Sequence, residues 1–362
     1  MDDKLKILLK EIEKFSREIR KDNINIMEVC GTHTHVIYDC GIKDMLPKKI
    51  NLISGPGCPI CVTEKSFIDN AIAIGRQDVT IITFGDIAKV RGSNSSLIEE
   101  RRNGLSLRII YSLDSILNIC REDAEKNYVF LGVGFETTTP LIANIIKKAH
   151  EENIKNLYFY NSLKIMPPIL NKILVSSDSI DGFILPGHVA VIQGEEEFRL
   201  LFANSEISSV IAGFSFEDIL ASIYFLLKAI YKKQCGENIG RFKNVYKSYV
   251  QVQGNLKAKE LMTQVFQVVH GKWRGIGIIE NSSLIMREKY SNFNAIVKFK
   301  LEENADYIES KDSKCRCSEV IMGKINPESC SLFKTICTTE NPQGPCMISM
   351  EGTCYCAYKF TV

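Results

Sequence analysis

Seven of the 13 cysteines in this 362-residue chain fall between Cys315 and Cys356: Cys315, Cys317, Cys330, Cys337, Cys346, Cys354 and Cys356. Thiols at that density, set among prolines and glycines, imply a disulfide framework, a zinc site or an iron–sulfur site. The odd total argues against full pairing into disulfides. The intervals from Cys317 to Cys354 are 13, 7, 9 and 8 residues and lack the paired C-x2-C knuckles of structural zinc. Pro327, Pro342 and Pro345 break the segment into turns, which suits a cubane cluster held by thiolates from several loops, with zinc as the alternative.

Further reactive residues lie in four short motifs. Cys58-Pro59-Ile60-Cys61 brings two sulfurs within bonding reach. If a helix starts there, its N-terminus favours the thiolate, so the motif reads as a redox dithiol, or otherwise as half a zinc site or a chance pair in a turn. Cys30-Gly31-Thr32-His33-Thr34-His35 puts a thiol and two imidazoles within six residues. Were the segment extended, His33 and His35 would point the same way, and a Cys/His set suits Fe(II), Zn(II) or Cu(I). The alternative is a pair of backbone-bonded histidines beside a small buried thiol. Glu136 is a candidate acid/base or a partner to a histidine, and equally a capping carboxylate. His188, in Pro186-Gly187-His188, is a candidate site residue or a turn histidine. Cys40, Cys120 and Cys235 read as packing thiols, His150 as a surface residue.

The elements that carry these motifs follow from periodicity. Strands are expected at Ile24–Val29, Ile50–Ser54, Val79–Phe84, Leu107–Tyr111, Tyr128–Val133, Leu157–Tyr160, Gly182–Leu185 and Ser209–Ala212. Helical spacing links many of them, as in Glu64–Ile74, Leu141–Glu151 and Phe216–Lys232, and opens the chain as an amphipathic helix through Leu5, Leu8, Leu9, Ile12, Phe15 and Ile19. Such alternation implies βαβ units and parallel sheets. The expected class is α/β: a domain over 1–125, a second over 126–235 with the chain free to cross between them, and a Cys-rich, helical or irregular domain over 236–362 that begins with a helix near Lys257–Val269. All four motifs directly follow expected strands, where open α/β sheets bind ligands, so they are expected to line one cleft.

Composition excludes several classes. Lys+Arg 45 against Asp+Glu 43 leaves a formal charge of +2, with no nucleic-acid footprint. No apolar run approaches membrane-spanning length, and the charged N-terminus is no signal h-region. A cytoplasmic protein is expected, in which clustered thiols mean metal or redox chemistry.

Taken together, CGTHTH, GPGCPICVT, GFETTTP, PGHV and the tail C-x12-C-x2-F-x3-C-x3-NPxGPCM-x3-EG-x-C resemble the HypD family of hydrogenase maturation proteins, from Cys30 to Tyr358. The resemblance implies two α/β domains and a C-terminal domain around a [4Fe–4S] cluster, and a scaffold on which the Fe(CN)2CO unit of [NiFe]-hydrogenase is built. It implies a maturation factor with redox and ligand-transfer activity rather than a small-molecule enzyme, working with a HypC-like chaperone that shares a transient mononuclear iron and a HypE-like cyanide donor. By position, Cys30 becomes the iron ligand and Cys58 and Cys61 the redox dithiol. His33, His35, Glu136 and His188 then line their cleft, and the cluster takes four of Cys317, Cys330, Cys337, Cys346 and Cys354, the last four preferred. Ser318 stands where the family pattern suggests glycine, and Cys356 where it suggests a small residue without a thiol. An iron–sulfur-linked thiol-disulfide reductase and a zinc-stabilised scaffold are the alternative functions.

Overall fold

A computed structural model describes residues 3–177, 179–237, 240–301 and 314–360. Each segment expected as a strand is one: β1 (Ile24–Glu28), β2 (Ile50–Ser54), β3 (Val79–Thr83), β4 (Leu107–Ile109), β5 (Asn127–Gly134), β6 (Leu157–Lys164), β7 (Gly182–Pro186) and β8 (Ser208–Ala212). Most are buried along nearly their whole length, as expected where helices cover a parallel sheet. Three further strands follow: β9 (Phe242–Asn244), β10 (Phe266–Trp273) and β11 (Gly277–Met286). The helix expected over Lys257–Val269 ends at Val265, where the chain turns directly into β10. An apolar run such as Val265-Phe266-Gln267-Val268-Val269 fits either period, and its pairing with β11 decides for strand.

The chain divides into two compact units, Met1–Cys58 with Ile169–Asn255 and Arg316–Val362, and Pro59–Pro168 with Leu256–Cys315. Boundaries near residues 125 and 235 are therefore replaced by crossings at Cys58–Pro59, Pro168–Ile169, Asn255–Leu256 and Cys315–Arg316, and the thiol-rich tail from Arg316 belongs to the first unit.

The first unit is built on a parallel sheet of order β2-β1-β7-β8-β9. Helices Asp3–Glu18 and Phe216–Gln234 bury Ile12, Phe15, Ile223 and Leu226 with Ile24, Ile26, Ile184 and Val210 of the strands. A reciprocal capping box between Ser215 and Asp218 starts the second of these helices. The second unit holds the order β10-β11-β6-β5-β3-β4, in which β6, β5, β3 and β4 are parallel and β10 and β11 form an antiparallel hairpin on β6. No helix among the described residues is long and apolar enough to cross a membrane.

Candidate functional site

In the first unit the strand order reverses between β1 and β7, since β1 is followed by β2 on one side and β7 by β8 on the other. The carboxyl ends at such a switch point splay apart and leave a crevice. Cys30 follows β1, His188 follows β7 and Phe214 follows β8. Cys30 is the extended N-cap of a helix, Gly31–Asp39, and has no side-chain cap of its own. The residue two before it supplies the acceptor instead. Glu28, 2% exposed, accepts the Cys30 N–H at 3.0 Å on Oε2 and the Thr34 hydroxyl on Oε1. The Ser54 side chain is a further hydrogen-bond partner. Burial pushes the Glu28 carboxyl up to about 7 although these donors pull it down. Burial, helped by the nearby Glu351 and Glu28 carboxylates, pushes the Cys30 thiol up to about 12.

The glycine before Cys58 has a packing reason. A Cβ on Gly57 would lie 2.4 Å from the Cys30 nitrogen, and the Gly57 carbonyl accepts the Gly31 N–H at 3.2 Å. The loop bearing the first dithiol cysteine thus lies flat on the backbone of Cys30. On another side, a Cβ on Gly31 would meet Glu351 Cβ at 2.3 Å, and the Thr32 hydroxyl donates to Glu351 Oε1 at 3.3 Å, so the tail also closes on this turn.

Because the segment is helical rather than extended, His33 and His35 diverge by about 200°. His33 is fully buried, donates from Nε2 to the Gly213 carbonyl at 2.9 Å and stacks on Phe214 at 4.7 Å. Its Nδ1 has no partner among the described residues, and burial lowers its pKa to about 4. His35 instead meets the edge of Phe360 at 5.1 Å. His188 joins His33 on Phe214, stacked at 3.8 Å, and its partial burial lowers its pKa.

Cys58 and Cys61 are both buried and disulfide-bonded. They lie in turns, and the following helix begins only at Lys65, so no helix N-terminus acts on these sulfurs. Glu136 belongs to the second unit, where its Oε1 accepts the Met166 N–H at 2.9 Å and so caps the helix Met166–Ser176.

In the tail, Cys346 hydrogen-bonds through its side chain with both Cys317 and Cys354, and Cys337 feels the charges of Cys330 and Cys317. Backbone N–H groups point at sulfur: Gln343 to Cys337 at 3.3 Å and Cys354 to Cys346 at 3.2 Å. Cys356 faces elsewhere. It is fully buried with Tyr38 and Ala357, donates to the Met350 carbonyl at 3.4 Å, and burial pushes it up to about 12. Among the described residues no three His, Cys, Asp or Glu side chains converge as a single-ion site.

Glu28, Glu351 and Phe214 escaped the sequence reading. A lone carboxylate inside the apolar strand end Ile26-Met27-Glu28-Val29 was the one available signal for the first. Nothing local marks Phe214.

Known proteins resemble this chain over nearly its whole length. The HypD family model, described as "Hydrogenase formation hypA family", matches residues 3–361. A hydrogenase expression/formation protein of Methanocaldococcus jannaschii is 34% identical over 358 residues, covering 98% of this chain and 97% of that protein. The hydrogenase maturation factors HypD of Azotobacter vinelandii and Escherichia coli K12 are each 34% identical, covering 94% and 93% of this chain and 90% and 89% of their own lengths.

Proposed function

Because the chain belongs to the HypD family of hydrogenase formation proteins, we propose that, within hydrogenase maturation, it is the scaffold and redox protein on which the Fe(CN)2CO unit of [NiFe]-hydrogenase is assembled. Iron is its cargo, bound by the Cys30 thiolate together with a ligand from a HypC-like chaperone, and cyanide arrives from a HypE-like donor. The observation that supports this reading is the close seat of Gly57, the residue before Cys58, on the backbone of Cys30.

Chemistry follows from that neighbourhood. Freeing cyanide from a thiocyanate takes two electrons, which the dithiol supplies as Cys58 and Cys61 close their disulfide. Their two protons leave on the donor's thiol and on hydrogen cyanide, so the step balances. Glu28 holds the Cys30 backbone rigid while the ligand changes around its sulfur, and His33 and His188 are each held in place by stacking on Phe214. Four of Cys317, Cys330, Cys337, Cys346 and Cys354 would hold a [4Fe–4S] cluster, and the N–H···S bonds to Cys337 and Cys346 suit thiolates bound to iron. When bound, such a cluster supplies single electrons, two of which restore the dithiol.

The test is infrared spectroscopy of the chain co-purified with a HypC-like partner. Bands of iron-bound cyanide and carbonyl are expected with Cys58 and Cys61 intact, and loss of the cyanide bands is expected in Cys58→Ala. Normal cyanide loading in that variant would remove the dithiol from the scheme. Bands absent even from the native chain would favour a thiol-disulfide reductase without mononuclear iron.

A further inference from the structure

Lys164 ends β6 and is 3% exposed, and neither its burial nor its partners have a part in the chemistry above. A buried ammonium persists only if it is paired and hydrogen-bonded. Its Nζ lies 3.2 Å from Glu64 Oε1 and donates to the Lys272 carbonyl at 2.7 Å. Glu64 is three residues beyond Cys61, and Lys272 belongs to β10.

Other bonds converge on the same short segment. The Thr63 hydroxyl donates back to the Pro59 carbonyl at 2.9 Å, inside the dithiol turn itself, and lies 3.4 Å from Ser162 Oγ of β6. The Arg274 N–H, just past β10, donates to the Val62 carbonyl at 2.9 Å. Val62, Thr63 and Glu64 are therefore each tied to a strand end or a hairpin distant in sequence, and Pro59 is tied to Thr63. All of these groups lie in the second unit.

We propose that Lys164 is a positioning residue for the Cys58–Cys61 couple: by tying Glu64 to the end of β6, with its ammonium braced on the Lys272 carbonyl of β10, it holds the turn in a shape that brings the sulfurs within bonding reach in both redox states. This rests on the dithiol reading given above and adds to it the residue that sets the potential. The tendency of two thiols to close is their effective concentration, and a turn held rigid from outside raises it. A clamped couple is more reducing than a free tetrapeptide, as a thiocyanate-cleaving dithiol needs to be.

The measurement is the equilibrium of the full chain, purified anaerobically with its metal complement, against glutathione redox buffers. One protein disulfide takes two electrons and two protons from two glutathione thiols and yields one glutathione disulfide. The Cys58/Cys61 peptide is read by alkylation and mass spectrometry. In Lys164→Met/Glu64→Gln, which removes both charges together, the constant for disulfide formation is expected to fall at least tenfold, about 30 mV toward easier reduction. Thr63→Val is expected to lower it at least threefold, while Thr63→Ser, which keeps the hydroxyl, stays within twofold of the native chain. Should the double variant fail to fold, the contrast of Thr63→Val with Thr63→Ser decides alone. Folded variants whose constants all lie within twofold of native, or a Thr63→Ser that falls as far as Thr63→Val, overturn the role of the clamp and leave the dithiol reading standing. A native couple that never exchanges with glutathione overturns both.

Discussion

The two units hold their reactive sulfurs in different ways. In the first, Cys30 sits at a strand end next to the residues that hold it: Glu28 is two positions before it, Thr34 four after, and the glycine loop comes from the neighbouring strand β2. In the second, the turn carrying Cys61 is held by Ser162 and Lys164 about 100 residues later and by Arg274 about 210 later. A parallel sheet collects local strand-end loops at one edge, whereas an added antiparallel hairpin imports contacts from far along the chain. The first arrangement tolerates little change in the backbone it packs; the second depends on a few bonds that can be removed singly.

That contrast predicts a graded set of responses. The largest concerns close packing. Gly57→Ala would drive a methyl into the Cys30 backbone at 2.4 Å, where no flexible side chain can yield, and about 3 kcal/mol or more of stability should be lost in urea unfolding. Gly85→Ala in the second unit meets only Ile109 Cγ2 at 3.7 Å and should change stability by less than about 1 kcal/mol. Equal effects would erase the distinction.

Next comes pH. His33 is depressed from 6.5 to about 4, so the folded chain binds fewer protons than the unfolded one in that window. Its contribution is present above pH 6.5 and lost as pH falls through 4, up to about 3 kcal/mol. Glu28 is raised from 4.5 to about 7, so its neutral form favours folding below 4.5 and that gain is lost as pH rises through 7, by a similar amount. The two slopes oppose each other and nearly cancel in the native chain. His33→Gln should therefore expose a stability that falls between pH 4.5 and 7, and Glu28→Gln one that rises between pH 4 and 6.5. Urea titrations across that range check both, and parallel profiles for the two variants would show that neither group titrates as described.

A modest effect belongs to the hairpin. Trp273 Nε1 donates to Ser282 Oγ at 2.8 Å across β10 and β11, so Ser282→Ala leaves a buried indole N–H without its acceptor. A loss of about 1–2 kcal/mol is expected, with the urea slope unchanged. A neutral outcome would mean that the hairpin is held by its apolar packing alone.

Much of the fold was legible because buried parallel strands carry dense β-branched runs. Ile50-Asn51-Leu52-Ile53-Ser54 and Val79-Thr80-Ile81-Ile82-Thr83 can hardly be anything else. The hairpin was not legible, since Phe266–Trp273 alternates no more cleanly as strand than as helix until Gly277–Met286 pairs with it. Nor was the angle between His33 and His35, because a polar six-residue motif has no period to read.

The sequence by itself determined which residues can react: thiols in pairs and clusters, and imidazoles, are chemical facts of composition and spacing. Only the tertiary structure decided which of them meet. Glu28 beneath Cys30, Cys356 withdrawn into the core, and Lys164 clamped to Glu64 depend on burial and on contacts between distant segments, and burial is a property of the packed chain that no local stretch of sequence contains.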